Sequence, residues 1–353
     1  MLLQEKLRYA VSLIFVFFCC GCQSEKPLPT PSTMITGQEK FVATPWHSNT
    51  ENDKMHSIYS RIGKLDMIGF TPGSGVYSHL KAEMEAMVCN YGINIPPVAL
   101  KNKNFYRCAD TEENRGESLR KAMESGHKIL WAVRGGYGSG FIIELLNKLP
   151  VPREKKILIG FSDVTSLHLF VTQRWGWKAI HAPVLMHLCR SEFTNGRFDT
   201  LLDILEGKIN KYSFGPVYPV NHAALRIGTV KGKLTGGNLT SLECSIGTSW
   251  EFQADNKIVF VEDIFVSPWQ AYRSMHHLKE AGKFLKAKAI LFGRFSKGGS
   301  QVEFAHYLKK FADSVGIPVF ITNEFGHGNS NKPIIYGAEA TICGKKIEIK
   351  VNN

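Results

Sequence analysis

The sequence lacks the residue spacings that hold metals and the motifs that bind nucleic acids. Five cysteines follow Cys22, an odd number, and they form neither a CxxC pair nor a Cys/His cluster. A zinc site is therefore not expected, and no other cofactor is expected either. No run of five lysines or arginines occurs, and no RNA- or DNA-binding motif is present, so nucleic acid is not an expected partner.

The charge balance is nevertheless strongly basic. The formal net charge is +12 at pH 7, in a chain of 353 residues of which 44% are hydrophobic. This composition is that of a globular protein, and the length suggests two domains. Without nucleic-acid motifs, the positive charge favours an anionic cell wall or membrane as the surroundings of the protein. The sequence leaves the oligomeric state open, and a homodimer is one option.

The N-terminus has the features of an export signal. Lys6 and Arg8 precede an apolar run of about eleven residues, which is short for a bilayer span but suits the core of a signal peptide. The segment Cys19-Cys20-Gly21-Cys22 resembles a bacterial lipobox in which Cys22 receives the lipid, although Cys19 stands where leucine is usual. Residues 1–22 are therefore predicted to be a signal peptide of a membrane-anchored lipoprotein that faces the periplasm or cell envelope. The alternatives are a plain secretory signal that is cut nearby and an uncleaved anchor.

The remainder of the chain divides into segments with different patterns. Residues 23–60 are polar and contain several prolines, which predicts a flexible tether. Residues 61–190 alternate apolar strands with amphipathic helices and predict an α/β domain with a parallel sheet flanked by helices. Residues 191–222 are predicted to be a linker. Residues 223–353 are predicted to form a smaller β-rich α+β domain.

A glycine-rich turn follows one of the apolar strands. The strand WAV leads into Arg134-Gly135-Gly136-Tyr137-Gly138-Ser139-Gly140 and an apolar helix segment. A serine on a tight strand-to-helix turn can act as a nucleophile, with backbone N–H groups nearby to stabilise an oxyanion. The same glycines at a helix N-terminus would also suit the phosphates of a nucleotide. These residues alone do not decide between a hydrolase and a nucleotide-binding module.

A second serine stands on a similar turn. The strand KILIGF ends at Ser162-Asp163, which precede another helix. Ser162 could be a nucleophile by the same reasoning, but a Ser-Asp pair in this position more often caps the following helix. The prediction therefore favours Ser139 as the nucleophile.

The candidates for a base and an acid lie in the second half of the chain. His327 stands between two glycines after the strand IPVFITN, which suits a histidine presented to a cleft. Glu262 and Asp263 end the apolar strand KIVFV, and the carboxyl end of a strand is where α/β sheets place functional groups. His168 and His181 are further candidates near the functional end of the first sheet.

Seven motifs in order resemble those of the LD-carboxypeptidases and microcin-immunity serine peptidases. They cover about residues 64–350 and are PGSG (72–75), DTEENRGESL (110–119), AVRGGYGSG (132–140), IGFSDVTSLHL (159–169), LTGGNL (234–239), VEDI (261–264) and FGHG (325–328). The resemblance implies a serine, glutamate and histidine triad, which maps onto Ser139, Glu262 and His327. Many members carry a second glutamate where this chain has Val266.

The resemblance also implies an activity. The expected function is that of a serine carboxypeptidase, which cleaves the L,D amide bond and releases the terminal D-alanine of murein tetrapeptides in cell-wall turnover or recycling. The substrate would be a murein peptide, and the backbone N–H groups of Gly140, Gly136 and Gly75 would form the oxyanion and substrate-binding site. The alternative is a noncatalytic or nucleotide-binding module that uses the GGYGSG turn.

Overall fold

A computed structural model of the chain describes residues 49–189 and 197–351. The chain divides into two compact units, Met1–Lys54 and Met55–Asn353, and the sheets and the candidate site belong to the second. The predicted signal peptide and the first part of the predicted tether lie outside the described residues. In the part of the chain that is described, no helix combines the length and apolar character that crossing a bilayer requires.

The end of the predicted tether is helical. Helix α1 spans Asn49–Gly63, so the prediction of a flexible segment is wrong for residues 49–60. Ile58 and Ile62, four residues apart on one face of the helix, are buried. The guanidinium of Arg61 donates hydrogen bonds to the carboxylates of Asp203 and Glu206 over 2.6–2.8 Å. The apolar pair was too short a pattern, in a polar stretch, to reveal a helix.

The first sheet has five strands in the order β1-β2-β3-β4-β11, of which the first four are parallel. Their side chains are almost all buried, which explains why these strands appear in the sequence as short continuous apolar runs. The fifth strand comes from late in the chain and pairs with β4 in the antiparallel sense. The strands are β1 Met67–Phe70, β2 Ile129–Ala132, β3 Ile157–Gly160, β4 Lys178–His181 and β11 Ile334–Ile335.

Several helices begin or end at residues with the expected capping chemistry. Thr111 accepts a hydrogen bond from the backbone N–H of Asn114 where the helix Glu112–Glu124 begins, and Gly92 ends the helix Lys81–Tyr91 in the left-handed conformation. The remaining helices are α2 Lys81–Tyr91, α3 Glu112–Glu124, α4 Ile143–Asn147, α5 Thr165–Phe170, α6 Arg197–Leu205, α7 His222–Arg226, α8 Leu239–Cys244, α9 Pro268–Glu280 and α10 Gln301–Ser314.

The second sheet has eight strands in the order β5-β13-β12-β7-β8-β9-β10-β6. Strands β7 to β10 are parallel, and the outer strands pair in the antiparallel sense. The strands are β5 Lys211–Phe214, β6 Tyr218–Pro219, β7 Thr229–Asn238, β8 Lys257–Ile264, β9 Ala289–Ser296, β10 Val319–Gly326, β12 Glu339–Cys343 and β13 Lys346–Lys350. The predicted class, a parallel sheet flanked by helices followed by a β-rich part, is confirmed, and the second sheet has more strands than the first.

The described part of the predicted linker contributes two strands to the second sheet. Residues 191–222 contain α6 and the strands β5 and β6, which form the two edges of that sheet. Conversely, β11 comes from the second half of the chain but pairs with β4 in the first sheet. Local sequence patterns locate a strand but do not say which sheet it joins, because pairing depends on residues far apart in the chain.

The candidate catalytic residues lie at or just beyond the carboxyl ends of three strands, one in the first sheet and two in the second. Ser162 follows β3 after one intervening residue, Glu262 lies near the end of β8, and His327 directly follows β10. Parallel α/β sheets place functional side chains at this end of their strands. The fold thus supplies all three side chains from strand ends.

Candidate active site

His327 lies between a serine and a carboxylate. Its Nδ1 is 2.5 Å from Oε2 of Glu262, and its Nε2 is 3.0 Å from Oγ of Ser162. With an ionised Glu262, Nδ1–H donates to the carboxylate, so that Nε2 can accept the proton of the Ser162 hydroxyl. This is the order of contacts in a hydrolytic triad.

Ser162 occupies a strained turn. It begins a short 3₁₀ turn after β3, and its φ of +63° lies in a region that side-chain-bearing residues seldom adopt. Such strain costs on the order of 1–3 kcal/mol and is characteristic of functional turns. A Cβ on Gly135 would lie 3.2 Å from Cβ of Ser162 and 2.9 Å from the carbonyl oxygen of Phe161, so a glycine is needed for this close approach.

Ser139, the predicted nucleophile, is not part of this group. Its exposed fraction is 0%, and its hydroxyl donates a 2.6 Å hydrogen bond to Oδ2 of Asp163. Its backbone N–H donates to the same oxygen over 2.8 Å. The hydroxyl is therefore turned away from His327, and the residue that the sequence interpretation treated as a cap, Ser162, holds the position assigned to Ser139.

Two charged side chains, Asp163 and Arg115, hold the glycine-rich turn in place. Asp163 accepts both hydrogen bonds from Ser139, and the protein around its carboxylate excludes water and raises its pKa. The buried guanidinium of Arg115 donates to the carbonyl oxygens of Gly138, over 2.8 Å, and of Pro72. Through these contacts the segments PGSG, DTEENRGESL and RGGYGSG form one support for the loops around Ser162.

Glu262 is fully buried beside the loop that carries the histidine. Burial acts to raise its pKa, but the charge of His327 and its hydrogen bond outweigh burial and hold the pKa below the ordinary value. Gly326 has a φ of +101°, and a Cβ there would lie 2.8 Å from Cβ of Glu262. Only glycine allows this approach of the loop to the acid. Because Glu262 itself contacts His327, the valine at position 266 leaves the pair intact.

Asp263 points away from His327 and binds Asn238 and Thr240 instead. Its carboxylate accepts hydrogen bonds from Nδ2 of Asn238, over 2.8 Å, and from the backbone N–H and hydroxyl of Thr240, over 2.9 and 2.7 Å. These contacts fix the LTGGNL segment where β7 ends. Successive side chains of a strand point to opposite faces, which explains why neighbouring acids have separate partners.

His168 and His181 do not reach the cavity. Both are fully buried, and burial lowers the pKa of His181 to about 4 and that of His168 well below the ordinary value. The ring of His181 packs edge-to-face against Phe161 and Phe260. Both histidines are therefore neutral interior side chains at pH 7.

A cavity of about 830 Å³ opens in front of Ser162 and His327. Gly75 and Gly136, two of the three glycines predicted for the oxyanion and substrate site, line it. Gly140 does not: it lines a separate groove with Glu112 and Trp250. The reason is that Ser139 is turned inward, so the residue that follows it faces another side of the loop.

The glycines of the GGYGSG turn do not converge on one surface. Gly136 borders the cavity, Gly138 packs against the guanidinium of Arg115, and Gly140 opens on the separate groove. Helix α4 begins only at Ile143 and has five residues. The structure thus gives no support to the phosphate-binding site that the sequence left open.

Within residues 49–189 and 197–351, no three His, Cys, Asp or Glu side chains are grouped to hold a metal ion.

Comparison with known proteins gives the site its context. A sequence profile of the LD-carboxypeptidase N-terminal domain matches residues 70–182, and one of the LD-carboxypeptidase C-terminal domain matches residues 231–342. The chain belongs to the LD-carboxypeptidase family. The matched N-terminal segment of this LD-carboxypeptidase family member contains Ser162, and the matched C-terminal segment contains Glu262 and His327.

Individual members of the LD-carboxypeptidase family agree with this assignment. The murein tetrapeptide carboxypeptidase of Pseudomonas aeruginosa is 31% identical over 251 residues, which cover 68% of this chain and 80% of that protein. A Rickettsia conorii protein with a provisional carboxypeptidase name is 44% identical over 239 residues, covering 67% and 75% respectively. By family, then, the chain is a hydrolase of the carboxypeptidase type.

Solved structures show the same LD-carboxypeptidase fold. The muramoyltetrapeptide carboxypeptidase of Oxalobacter formigenes superimposes with a TM-score of 0.66 and 24% identity, covering 81% of this chain and 98% of that one. The microcin C7 self-immunity protein in complex with glutamyl sulfamoyl guanosine gives a TM-score of 0.68 at 21% identity, covering 82% and 96%.

Proposed function

We propose that the protein is a serine carboxypeptidase that removes the terminal D-alanine from murein tetrapeptides by cleaving an L,D amide bond. The observation that carries this proposal is His327, which contacts Oγ of Ser162 on one side and Oε2 of Glu262 on the other. A serine hydroxyl is a weak nucleophile until an adjacent base accepts its proton, and this contact supplies the base.

The contacts define a sequence of steps. Ser162 Oγ attacks the scissile carbonyl carbon while Nε2 of His327 takes its proton, and Glu262 stabilises the resulting imidazolium. His327 then gives the proton to the departing amine, which leaves an acyl-enzyme on Ser162. Water, activated by His327 in the same way, releases the shortened peptide and restores the serine.

The negative charge that develops on the carbonyl oxygen needs hydrogen-bond donors. The N–H of the residue after the nucleophile commonly provides one, and here that residue is Asp163. A Cβ on Gly135 would lie 3.5 Å from the nitrogen of Asp163, so the glycine turn runs beside it. We assign the oxyanion hole to the N–H groups of Asp163 and Gly136, in place of the Gly140 predicted from the sequence.

The charge of the cavity supports an anionic substrate. The described residues that line it include Arg107, Arg134 and Lys297, and neither aspartate nor glutamate is among them. A murein tetrapeptide carries free carboxylates, including that of its terminal D-alanine, and a cationic cleft concentrates such ligands. The name of the Pseudomonas aeruginosa relative supports the same substrate class.

The test is mass spectrometry of murein tetrapeptide incubated with the purified protein. The expected product is the tripeptide, with one D-alanine released per molecule. The matched controls are a tetrapeptide ending in L-alanine, expected to remain intact, and a preparation of the Ser162→Ala variant, which excludes a contaminating peptidase. An intact tetrapeptide together with cleavage of an aminoacyl sulfamoyl nucleoside would contradict the proposal and indicate an immunity-type hydrolase instead.

We further propose that the protein acts as a lipoprotein at the cell envelope. The support is the N-terminal sequence, with Lys6 and Arg8 before the apolar run and Cys22 after a small residue. Cys22→Ala is expected to abolish incorporation of labelled fatty acid and to shift the protein from the membrane fraction to the soluble fraction. Wild-type protein recovered from the cytosol with its leader intact would contradict this location.

A further inference from the structure

The cations that line the cavity differ in how firmly they are held. Arg107 and Lys297 are exposed, and Lys297 stands 5.7 Å from the ring centre of Phe265, which is itself 68% exposed. Arg134 is half-buried in the cavity wall. Exposed flexible cations attract an anion, but a fixed one can bind it in a defined place.

Contacts with Gly75 and Tyr77 help to hold the guanidinium of Arg134. Its Nη1 donates a 2.5 Å hydrogen bond to the carbonyl oxygen of Gly75, and its plane centre lies 3.9 Å from the ring centre of Tyr77. A guanidinium in van der Waals contact with an aromatic ring is both attracted to it and oriented by it. The side chain therefore loses little further freedom when it binds a ligand.

Arg134 is also close to the nucleophile along the chain and across the sheet. It directly precedes Gly135, the residue that packs against Ser162. Strand β2, from which it continues, lies beside β3, with Trp131 opposite Ile159. The terminal carboxylate of a peptide is separated from the last amide bond by a single Cα, so the group that binds it must lie near the nucleophile.

We propose that Arg134 binds the free C-terminal carboxylate of the substrate and thereby makes the enzyme an exopeptidase. This inference rests on the proposed carboxypeptidase function and adds the residue that selects the chain end. A guanidinium presents paired N–H donors in the geometry of a carboxylate, which a lysine ammonium does not. Its position places the last amide bond, rather than an internal one, at Ser162.

The test compares two substrates that differ only at the terminus, the murein tetrapeptide and its C-terminal carboxamide. We expect the wild-type protein to have a higher kcat/KM for the free acid, and Arg134→Gln to reduce this acid-to-amide ratio by about 10- to 100-fold, the range of a charge-assisted hydrogen-bonded pair. Arg134→Lys, which keeps the charge but not the paired donors, should give an intermediate ratio. Most of the change should appear in KM.

Matched controls are Arg107→Gln and Lys297→Gln. Each removes one charge from the same cavity and should lower kcat/KM for the acid modestly, in a salt-dependent manner, while keeping most of the acid-to-amide ratio. If Arg134→Gln lowers kcat/KM equally for both substrates, or if the wild type does not distinguish them, Arg134 only supports the loop of Gly75 and the inference is wrong. If the wild type cleaves neither substrate, the proposed function itself fails.

Discussion

Replacing Ser162 by alanine is expected to lower kcat on the murein tetrapeptide by about 10⁴- to 10⁶-fold, as loss of the nucleophile does in other serine hydrolases. The change removes one hydroxyl at the cavity and leaves the backbone turn in place. The urea midpoint of unfolding should therefore stay close to that of the wild type. The measurement is a single-turnover assay with chromatographic detection of D-alanine, beside an equilibrium unfolding curve.

The matched control is Ser139→Ala, the same substitution on the neighbouring turn. It deletes the buried hydroxyl that donates to Asp163. Removing a partner of a buried hydrogen bond costs about 1–3 kcal/mol of stability, so this variant should be less stable but should retain most of its kcat. Inactive Ser139→Ala beside active Ser162→Ala would restore the assignment made from the sequence.

Replacing His327 by alanine should cost about as much in kcat as the loss of Ser162. The histidine is the only described side chain that contacts the Ser162 hydroxyl in a position to accept its proton. Because the members of a triad act as a unit, the Ser162→Ala, His327→Ala double variant should be hardly slower than either single variant. A double variant that loses the product of both effects would show that the two residues act separately.

Glu262→Gln should reduce kcat by up to about 10⁴-fold, since the neutral amide keeps the shape of the side chain but cannot stabilise the imidazolium. Asp263→Asn is the control one residue along the strand. It disturbs the contacts with Asn238 and Thr240, so we expect it to lower stability more than kcat. A variant pair with these effects reversed would mean that Asp263 is the acid.

The sequence predicted those parts of the molecule that short-range patterns determine. The buried strands of the first sheet are continuous apolar runs, and Thr111 and Gly92 delimit helices by local hydrogen bonding and backbone freedom. The sequence also indicated Glu262 and His327. Glu262 stands at the end of an apolar strand, and His327 stands between two glycines, and both features can be read without coordinates. The structure brings these two side chains together.

The choice between the two serines could not be made in this way. Both follow an apolar strand, and the glycines around Ser139 made its turn look more like a catalytic one. Two facts decide between the serines. Ser139 donates its hydrogen bonds to Asp163, and Ser162 contacts His327, which lies 165 positions further along the chain. The one local signal was Gly160-Phe161-Ser162, a glycine two residues before a serine at a strand end, which fits a nucleophile turn better than Tyr137-Gly138-Ser139 does.

The position of β11 has a consequence for how this protein is made. The loop that carries His327 begins where β10 of the second sheet ends, at Gly326, and leads to β11 in the first sheet. There β11 pairs with β4, the neighbour of β3. Neither sheet can set the distance from His327 to Ser162 alone. The ribosome must release both halves of the chain, through Ile335, before this pairing can form, and contacts so distant in sequence form slowly. The nascent protein therefore stays without its proposed base in place until β11 has emerged, and hydrolytic competence has to wait for the pairing of β11 with β4.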